Sequence, residues 1–271
     1  MPRVIVTRPA REATHWVEQL RARGIEAAAL PLIAIGPDTD PAAQQVLGQA
    51  RQQLHQYRAL MFVSGNAVVH FFKSNWPIAL DGKALAAIKT RAWAPGPGTV
   101  RALEQAGVPH DHIDGPAADA PQFDSEALWQ QVSAQIQPGD RVLIVRGRSA
   151  TPQGAHESAQ GSGRDWLARQ IEAAGGTVDF VVAYQRGAPQ LTDSEVALAQ
   201  QAAGDGSVWL LSSSEAVAHL AQALPSVDFS AAQALATHPR IAQAARAAGF
   251  GAVQECRPAL ADVVASIESV A

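Results

Sequence analysis

The chain has 271 residues, of which 47% are hydrophobic and 17% charged, and its formal net charge is −4. This length and composition fit two folded domains and exclude a mainly disordered chain. The slightly acidic balance argues against nucleic acid as a partner, because domains that bind DNA or RNA carry a basic surface.

The first residues predict neither a leader nor a membrane anchor. The segment "MPRVIVTRPAREATHW" turns polar after three consecutive apolar residues, which is too short for a signal peptide. No apolar run approaches the roughly 20 residues that a membrane span needs. We therefore expect a cytoplasmic, soluble protein that is a monomer and has no membrane partner.

Apolar segments typical of strands alternate with amphipathic helical patterns along the chain. The predicted strands are 3–7, 25–30, 59–63, 90–94, 141–145, 177–184, 207–211, 232–236 and 251–255. Between them, residues such as Ala13, Trp16, Val17 and Leu20 follow the spacing of one buried helix face. The alternation predicts an α/β fold of doubly wound parallel sheets with helices on both faces.

An internal repeat indicates two such domains. "SGNAVVHF" at 64–71 resembles "SSEAVAHL" at 213–220, and "GPGTVRALEQAGV" at 96–108 resembles "HPRIAQAARAAGF" at 238–250. The start of the chain, "VIVTR", resembles "LIVR" at 143–146. The second copy therefore lacks its first pieces, which the N-terminus of the chain supplies.

The repeat predicts that domain one is discontinuous in sequence. Domain one would combine residues 1–35 with 188–271, and domain two would span residues 38–182. Two strand-like crossovers, near 31–38 and 181–189, would join the domains and form a hinge.

The predicted strands end on hydroxyl-bearing, basic or glycine residues that precede helices. Helix N-termini offer N–H groups to anions, and ligands of open α/β sheets bind at the carboxyl edge of the strands. Each Ser, Thr or Asn can also be a plain helix N-cap. Gathered on the facing edges of two domains, these turns predict a cleft for a ligand with several carboxylates. The candidate binding residues are Arg8, Ser64, Gly65, Asn66, Gly98, Thr99, Arg146, Gly147, Ser213 and Ser214.

The turn "APGPGT" at 94–99 does not match a nucleotide site. After Gly96 and Gly98, Arg101 stands where the dinucleotide motif needs its third glycine, and no P-loop lysine follows. Pro97 removes one N–H donor from the turn. At Gly98 a branched side chain would crowd a ligand and resist any positive φ that the turn requires.

Other familiar chemistries are not indicated. Cys256 is the only cysteine, so we expect no intramolecular disulfide and no cysteine-based metal site. "HDH" at 110–112 lacks a third ligand, and the chain has no G-x-S-x-G elbow. Tyr184 ends the apolar strand "DFVVAY", where its phenol could donate a proton, although ordinary packing also explains it.

Across nearly its whole length the sequence resembles the uroporphyrinogen-III synthase family. The resemblance rests on the order and spacing of several segments. They are "VIVTRPAREATHWVEQLRARG", "FVSGNAV", "PGPGTVRALEQAGV", "DSEALW", "VLIVRG", "GRDWLARQIEAAGGTVDFVVAYQR" and "SSSEAVAHL … HPRIAQAARAAGF". The resemblance implies two α/β domains joined by a two-stranded β-ladder. It also implies a lyase without cofactor or metal, which converts the linear tetrapyrrole hydroxymethylbilane into uroporphyrinogen III with loss of water and inversion of the last pyrrole ring.

The resemblance also implies roles for individual residues. Tyr184 matches the family tyrosine proposed to help hydroxide leave, while Ser64 and Thr99 match hydroxyl residues of two family turns. The substrate carries several carboxylates, which similar enzymes bind largely through backbone amides, so the turn 94–99 is interpreted as a carboxylate site. At 238–241 this chain has "HPRI" where the family often has "GPTT", so no side-chain role is carried over there.

Two other function classes stay open on the residues alone. A non-catalytic hinge protein that binds a polycarboxylate would also have two α/β domains around a cleft. A two-domain glycosyltransferase would share the architecture but needs a nucleotide-diphosphate loop, which the sequence does not offer. The missing signal peptide weighs against a periplasmic binder.

Overall fold

The computed structural model describes residues 2–72, 89–117, 120, 122–149 and 162–270. The chain folds into two compact units. Unit 1 consists of Met1–Ala34 with Gly187–Ala271, and unit 2 consists of Ile35–Arg186.

The strands, in chain order, are β1 (Val4–Val6), β2 (Ala27–Ala29), β3 (Ala34–Pro37), β4 (Ala59–Phe62), β5 (Arg91–Trp93), β6 (Ile113–Asp114), β7 (Arg141–Ser149), β8 (Thr177–Gly187), β9 (Val208–Leu211), β10 (Gln233–Ala236) and β11 (Ala252–Glu255). The α-helices among the described residues are α1 (Ala10–Arg21), α2 (Pro41–Gln52), α3 (Gly65–Phe72), α4 (Pro97–Gln105), α5 (Ser125–Val132), α6 (Ser162–Ala173), α7 (Asp193–Ala202), α8 (Ser214–Ala223), α9 (Pro239–Ala247) and α10 (Leu260–Val270).

Unit 1 contains a five-stranded sheet in the order β11–β10–β9–β1–β2, and each of its four neighbouring pairs is parallel. The strand from the start of the chain lies inside this sheet, with Ile5 opposite Trp209 on one side and opposite Ala28 on the other. All three residues of β1 are fully buried. Continuous apolar runs of this kind are typical of parallel strands that are covered on both faces.

Unit 2 contains a six-stranded sheet in the order β3–β8–β7–β4–β5–β6. Alternate residues of β7 enter two separate cores: Leu143 and Val145 pack with α3 and α4, while Val142 and Ile144 pack with α5 and α6. Successive side chains of a strand point to opposite faces, so the helices cover both faces of the sheet. The predicted α/β class with parallel sheets is confirmed at this level.

The predicted strands were accurate in position but not in length. Each of the nine overlaps an observed strand, and β7 and β8 continue past the predicted ends at 145 and 184. β3 lies in the strand-like crossover expected near 31–38, and β6 was not predicted. The segment 147–166 is rich in Gly, Ser, Ala and Gln, a composition that predicts a loop. This prediction is wrong at both ends, because β7 extends to Ser149 and α6 begins at Ser162. Its middle part, 150–161, lies outside the described residues.

Within the residues that the structure describes, no helix has both the length and the apolar character that crossing a membrane requires. No three His, Cys, Asp or Glu side chains of the same residues are grouped so that they could hold a metal ion. His110 of the "HDH" segment bonds instead to the Glu104 carboxylate, at 2.8 Å from its Nδ1.

A buried histidine fixes the segment through which the chain leaves unit 1. His219 on α8 is 6% exposed, and its Nδ1 donates a hydrogen bond to the carbonyl of fully buried Leu32, at 2.8 Å. We expect His219→Ala to lower the free energy of unfolding by about 1–3 kcal/mol, because the carbonyl would lose its partner in a buried position. Chemical denaturation measures this, with exposed His15→Ala as the control. Equal midpoints for both variants would contradict the anchoring role.

Candidate functional site

The carboxyl ends of four neighbouring strands of unit 2 meet at one edge of its sheet. β8, β7, β4 and β5 are adjacent in that order, and the three pairings between them are parallel. Because parallel strands end on the same side, the segments that follow them lie together. This edge contains most of the predicted site residues of unit 2.

The segment after β4 starts α3 with a serine cap. Ser64 precedes the helix, and its Oγ accepts a hydrogen bond from the Ala67 N–H, at 3.2 Å. Such a bond satisfies one of the free donors of the first helical turn. Gly65 lies beside the next helix: a Cβ there would stand 3.6 Å from the Gly98 carbonyl oxygen. The starts of α3 and α4 are therefore neighbours.

The turn after β5 leads into α4, but Gly98 is not a turn residue. Gly96 is the N-cap and Pro97 the first helical residue, so Gly98 lies within the first helical turn. Gly98 is not among the glycines with positive φ. A positive φ is therefore no reason for a glycine at this position, and the expected crowding of a ligand stays a prediction.

The same turn keeps a free amide. Thr99 and Val100 both donate to the Gly96 carbonyl, at 3.0 and 3.2 Å. Among the described residues the Gly98 N–H has no hydrogen-bond partner. In the described part of the chain, a Cβ at Gly98 would meet only the Arg101 Nη2, at 4.0 Å. The amide thus lies at a helix N-terminus with open space beside it, which is a suitable environment for a carboxylate.

A β-bulge determines the direction of Tyr184. Arg146 pairs with Val182, but the next residue, Gly147, pairs with Tyr184, so Ala183 is an extra residue in β8. Ala183 and Tyr184 consequently pack in the same core as Val181, where strict alternation would have put Tyr184 on the opposite face. Bulges re-aim side chains in this way and are frequent beside active sites.

Gly147 provides the space for the tyrosine ring. A Cβ at Gly147 would overlap Cζ, Cε1 and Cε2 of Tyr184. The neighbouring Arg148 holds this end of β7 in place, because its Nη2 donates to the Asp38 carboxylate at 2.6 Å and Asp38 is 3% exposed. Gly147 therefore packs directly against the candidate catalytic residue.

The Tyr184 hydroxyl lies within hydrogen-bond distance of Ser64. Tyr184 Oη and Ser64 Oγ are 3.2 Å apart, and either oxygen could donate. The ring of His70, on α3, stacks on the tyrosine ring with centroids 5.6 Å apart and 29° between the planes. Arg51 donates to the His70 carbonyl at 2.8 Å, which ties α3 to α2. Tyr184 itself is 6% exposed, so its ring is packed in the core of unit 2.

This arrangement can supply a proton or a hydrogen bond to a ligand atom. The Ala67 N–H occupies one lone pair of Ser64 Oγ, and the serine proton can then be donated to Tyr184 Oη. In that direction the tyrosine O–H remains available for a third group. Chains of hydrogen bonds polarise one another, which strengthens the last donor.

The structure does not bring every predicted residue of unit 2 to this pair. Arg146 precedes the bulge, on the face of β7 that carries Val142 and Ile144 rather than Val145. Its guanidinium lies 5.0 Å above the ring of Phe180. The structure describes no contact between Arg146 and Tyr184.

Unit 1 has its own predicted residues at the carboxyl edge of its sheet. Arg8 follows β1; its guanidinium lies 4.5 Å above the Trp16 ring and 3.5 Å from the Glu12 carboxylate. Burial lowers the pKa of Arg8, and Glu12 opposes that shift. Ser213 caps α8 by accepting from the Ala216 N–H at 3.4 Å, and Ser214 is the first residue of that helix.

Sequence reasoning missed three features of these edges. His238, which stands where the family often has a glycine, caps α9 with its Nδ1, which accepts from the Arg240 N–H at 3.1 Å. A glycine that interrupts a strand is a known signal for a bulge or a close approach, and Gly147 could have been interpreted in that way. The stacking of His70 on Tyr184 had no local signal, because the two residues are distant in sequence.

Comparison with known proteins gives consistent results. The family model described as "Uroporphyrinogen-III synthase HemD" matches residues 14–265. The uroporphyrinogen-III synthase of Chlorobaculum parvum is 30% identical over 148 residues, which are 54% of this chain and 54% of that protein. The match with this curated relative thus spans about half of its length.

Two solved structures have a similar fold. A mutant uroporphyrinogen III synthase from Thermus thermophilus is 16% identical with a TM-score of 0.51, and the alignment covers 100% of this chain and 98% of the other. The uroporphyrinogen-III synthetase of Helicobacter pylori is 16% identical with a TM-score of 0.54, and both chains are covered completely, at 100%. At this identity the likeness establishes the α/β fold with parallel sheets.

Proposed function

This chain belongs to the uroporphyrinogen-III synthase family, and on that premise we propose that it is the lyase that cyclises hydroxymethylbilane. The product would be uroporphyrinogen III, formed with loss of water and inversion of the last pyrrole ring. The observation that carries the proposal is the Tyr184–Ser64 pair at the edge where α3 and α4 begin. A proton donor near the free amide of a helix start suits a substrate that carries carboxylates and a departing hydroxyl.

We propose that carboxylates of the substrate bind at the starts of α3 and α4. The amide of Gly98 and the polar start of α3 at Gly65 and Asn66 would donate to them, with Thr99 on the same helical turn as Gly98. Arg146 would add a positive charge near the end of β7. Neutral donors at helix N-termini bind anions without a large basic surface, in agreement with the net charge of −4.

Unit 1 repeats the same local design, and we propose that Arg8, Ser213 and Ser214 bind other carboxylates of the substrate. Support comes from the parallel strand ends and from the capped start of α8. The crossovers near 31–38 and 181–189 would act as a hinge; their strands β3 and β8 are neighbours in the sheet of unit 2. We further propose a cytoplasmic monomer that works without cofactor or metal.

In the proposed reaction Tyr184 assists loss of the hydroxyl group. The C–O bond breaks with its electron pair on oxygen, and the lone pair of the pyrrole nitrogen forms a cationic azafulvene. The substituted carbon of the last ring attacks the methylene carbon of this azafulvene and forms a spiro intermediate. The bond from that ring carbon to its original methylene bridge then breaks, which leaves an azafulvene on the preceding ring. The free α-carbon of the last ring attacks that azafulvene and closes the macrocycle with the last ring inverted. A proton lost from the ring carbon restores the pyrrole, so that the sum is product and water. Binding beforehand supplies the orientation and excludes simple head-to-tail closure.

The decisive test is direct incubation with fresh hydroxymethylbilane, followed by separation of the oxidised uroporphyrin isomers. We expect the inverted isomer III to form far faster than the head-to-tail isomer that arises without enzyme. A chain that binds the bilane but does not alter the isomer ratio would be the non-catalytic binding protein instead.

The Gly98 amide allows a test of carboxylate binding that does not disturb the fold. Gly98→Ala places a Cβ in open space within a helix, so stability should be unchanged or rise by up to about 1 kcal/mol. The methyl group would crowd a carboxylate on the amide, and we expect KM to rise several-fold with kcat less affected. Thr99→Ala should also raise KM several-fold, which is the scale of one neutral hydrogen bond, about 0.5–1.5 kcal/mol. An unchanged KM in Gly98→Ala would remove this amide from the binding site.

A further inference from the structure

We propose that Ser64 is a positioning residue, which orients the hydroxyl of Tyr184 rather than binding the substrate itself. The inference rests on the proposed function, because it assigns the tyrosine proton to the departing hydroxyl. It gives Ser64 a different role from the substrate-binding role that the family resemblance implies.

The first argument is that Ser64 Oγ has a fixed place and one free proton. The helix cap holds the oxygen, since the Ala67 N–H donates to it at 3.2 Å. Tyr184 Oη lies 3.2 Å away, within reach of the serine proton. A serine that donates to Tyr184 leaves the tyrosine proton free, whereas the reverse direction would direct that proton toward Ser64 and away from a substrate.

The second argument is that rotation of the phenolic O–H is the freedom left to Tyr184. Gly147 lies against the ring on one side, and the His70 ring stacks on it at 5.6 Å. A phenolic O–H prefers the plane of its ring and so has two orientations. When Ser64 donates its proton to Tyr184 Oη, the tyrosine proton cannot also lie between the two oxygens. The Tyr184 O–H therefore takes the orientation that points away from Ser64.

The internal repeat supplies a matched control. Ser213 occupies the position in unit 1 that Ser64 has in unit 2, and its Oγ caps α8 by accepting from Ala216, at 3.4 Å. The sequence has only two tyrosines, Tyr57 and Tyr184, and both belong to unit 2. Ser213 therefore has the same capping role without a tyrosine to orient.

The test is a double-mutant cycle with isomer-resolved kinetics on the full chain. Ser64→Ala should lower kcat about five- to tenfold with KM unchanged, the scale expected for one lost hydrogen bond. In the Tyr184→Phe background the same change should have no further effect, because the group that it orients is gone. Ser64→Thr, which keeps the hydroxyl, should restore most of kcat. Ser64→Gly should have the same kcat as Ser64→Ala, although glycine is a favourable N-cap residue. Equal kcat values would show that the loss comes from the missing hydroxyl and not from a weakened helix start.

Two controls and two contrary outcomes complete the design. Ser213→Ala should change kcat by the same factor in the wild-type background and in the Tyr184→Phe background. Thr192→Ala, which removes the N-cap of α7, should leave kcat unchanged. If Ser64→Ala raises KM equally in both backgrounds, Ser64 binds substrate and the inference is overturned, while the synthase assignment stands. If the wild-type chain forms no excess of isomer III, the proposed function and this inference both fail.

Discussion

Replacing Tyr184 by Phe is expected to reduce kcat by roughly 10²–10⁴-fold, the usual contribution of a positioned proton donor. The ring stays, so its contacts with Gly147 and His70 persist and the protein should remain folded. The lost oxygen leaves Ser64 with its cap bond to Ala67. The effect should therefore appear in turnover and only weakly in the unfolding midpoint.

Tyr57→Phe is the matched control for this prediction. It removes the other phenolic hydroxyl of the chain, from a side chain that is 7% exposed and lies just before β4, at the opposite end of the sheet. We expect full activity in that variant. If Tyr184→Phe were folded and as active as wild type, positioning of the bilane would have to account for catalysis without a proton donor.

Local patterns in the sequence predicted much of the fold. The run "VIV" of β1 and the run "RVLIV" of β7 are too apolar for exposed strands, and the helical spacing around Ala13 and Leu20 marks one buried face. These patterns involve residues that are close in sequence, so the spacing and number of the apolar residues can be determined from the sequence alone. β6 has two residues, which is too short for any period to be visible.

The site was predictable only where it depends on local structure. Ser64 and Thr99 could be placed at helix starts because caps and turns have short signatures. The direction of Tyr184 depends on the extra residue in its pairing with β7, and register between strands distant in sequence has no such signature. Alternation from Val181 would have put the hydroxyl on the wrong face of the sheet.

Gly147→Ala is expected to lower both stability and kcat more than the addition of a methyl group at Gly98, on the same edge of the sheet. The new Cβ would overlap three carbons of the Tyr184 ring, so either β7 or the ring has to shift. Pairing with Tyr184 and the Arg148–Asp38 bond resist movement of the strand. We expect the free energy of unfolding to fall by about 1–3 kcal/mol, as for other overpacked positions. Because the hydroxyl would also leave Ser64, kcat should fall at least as far as in Tyr184→Phe.

The physical cause can be isolated with a second substitution. In a Tyr184→Ala background the overlap disappears, so adding Gly147→Ala should then cost little stability in chemical denaturation. Gly98→Ala is the control for adding a methyl group at the same edge, because in the part of the chain that the structure describes its Cβ would meet only the end of the Arg101 side chain, at 4.0 Å. If Gly147 instead served only to bind substrate, its alanine variant would keep wild-type stability and lose activity through KM. A stable Gly147→Ala protein with unchanged kcat would show that the Tyr184 ring does not need this space.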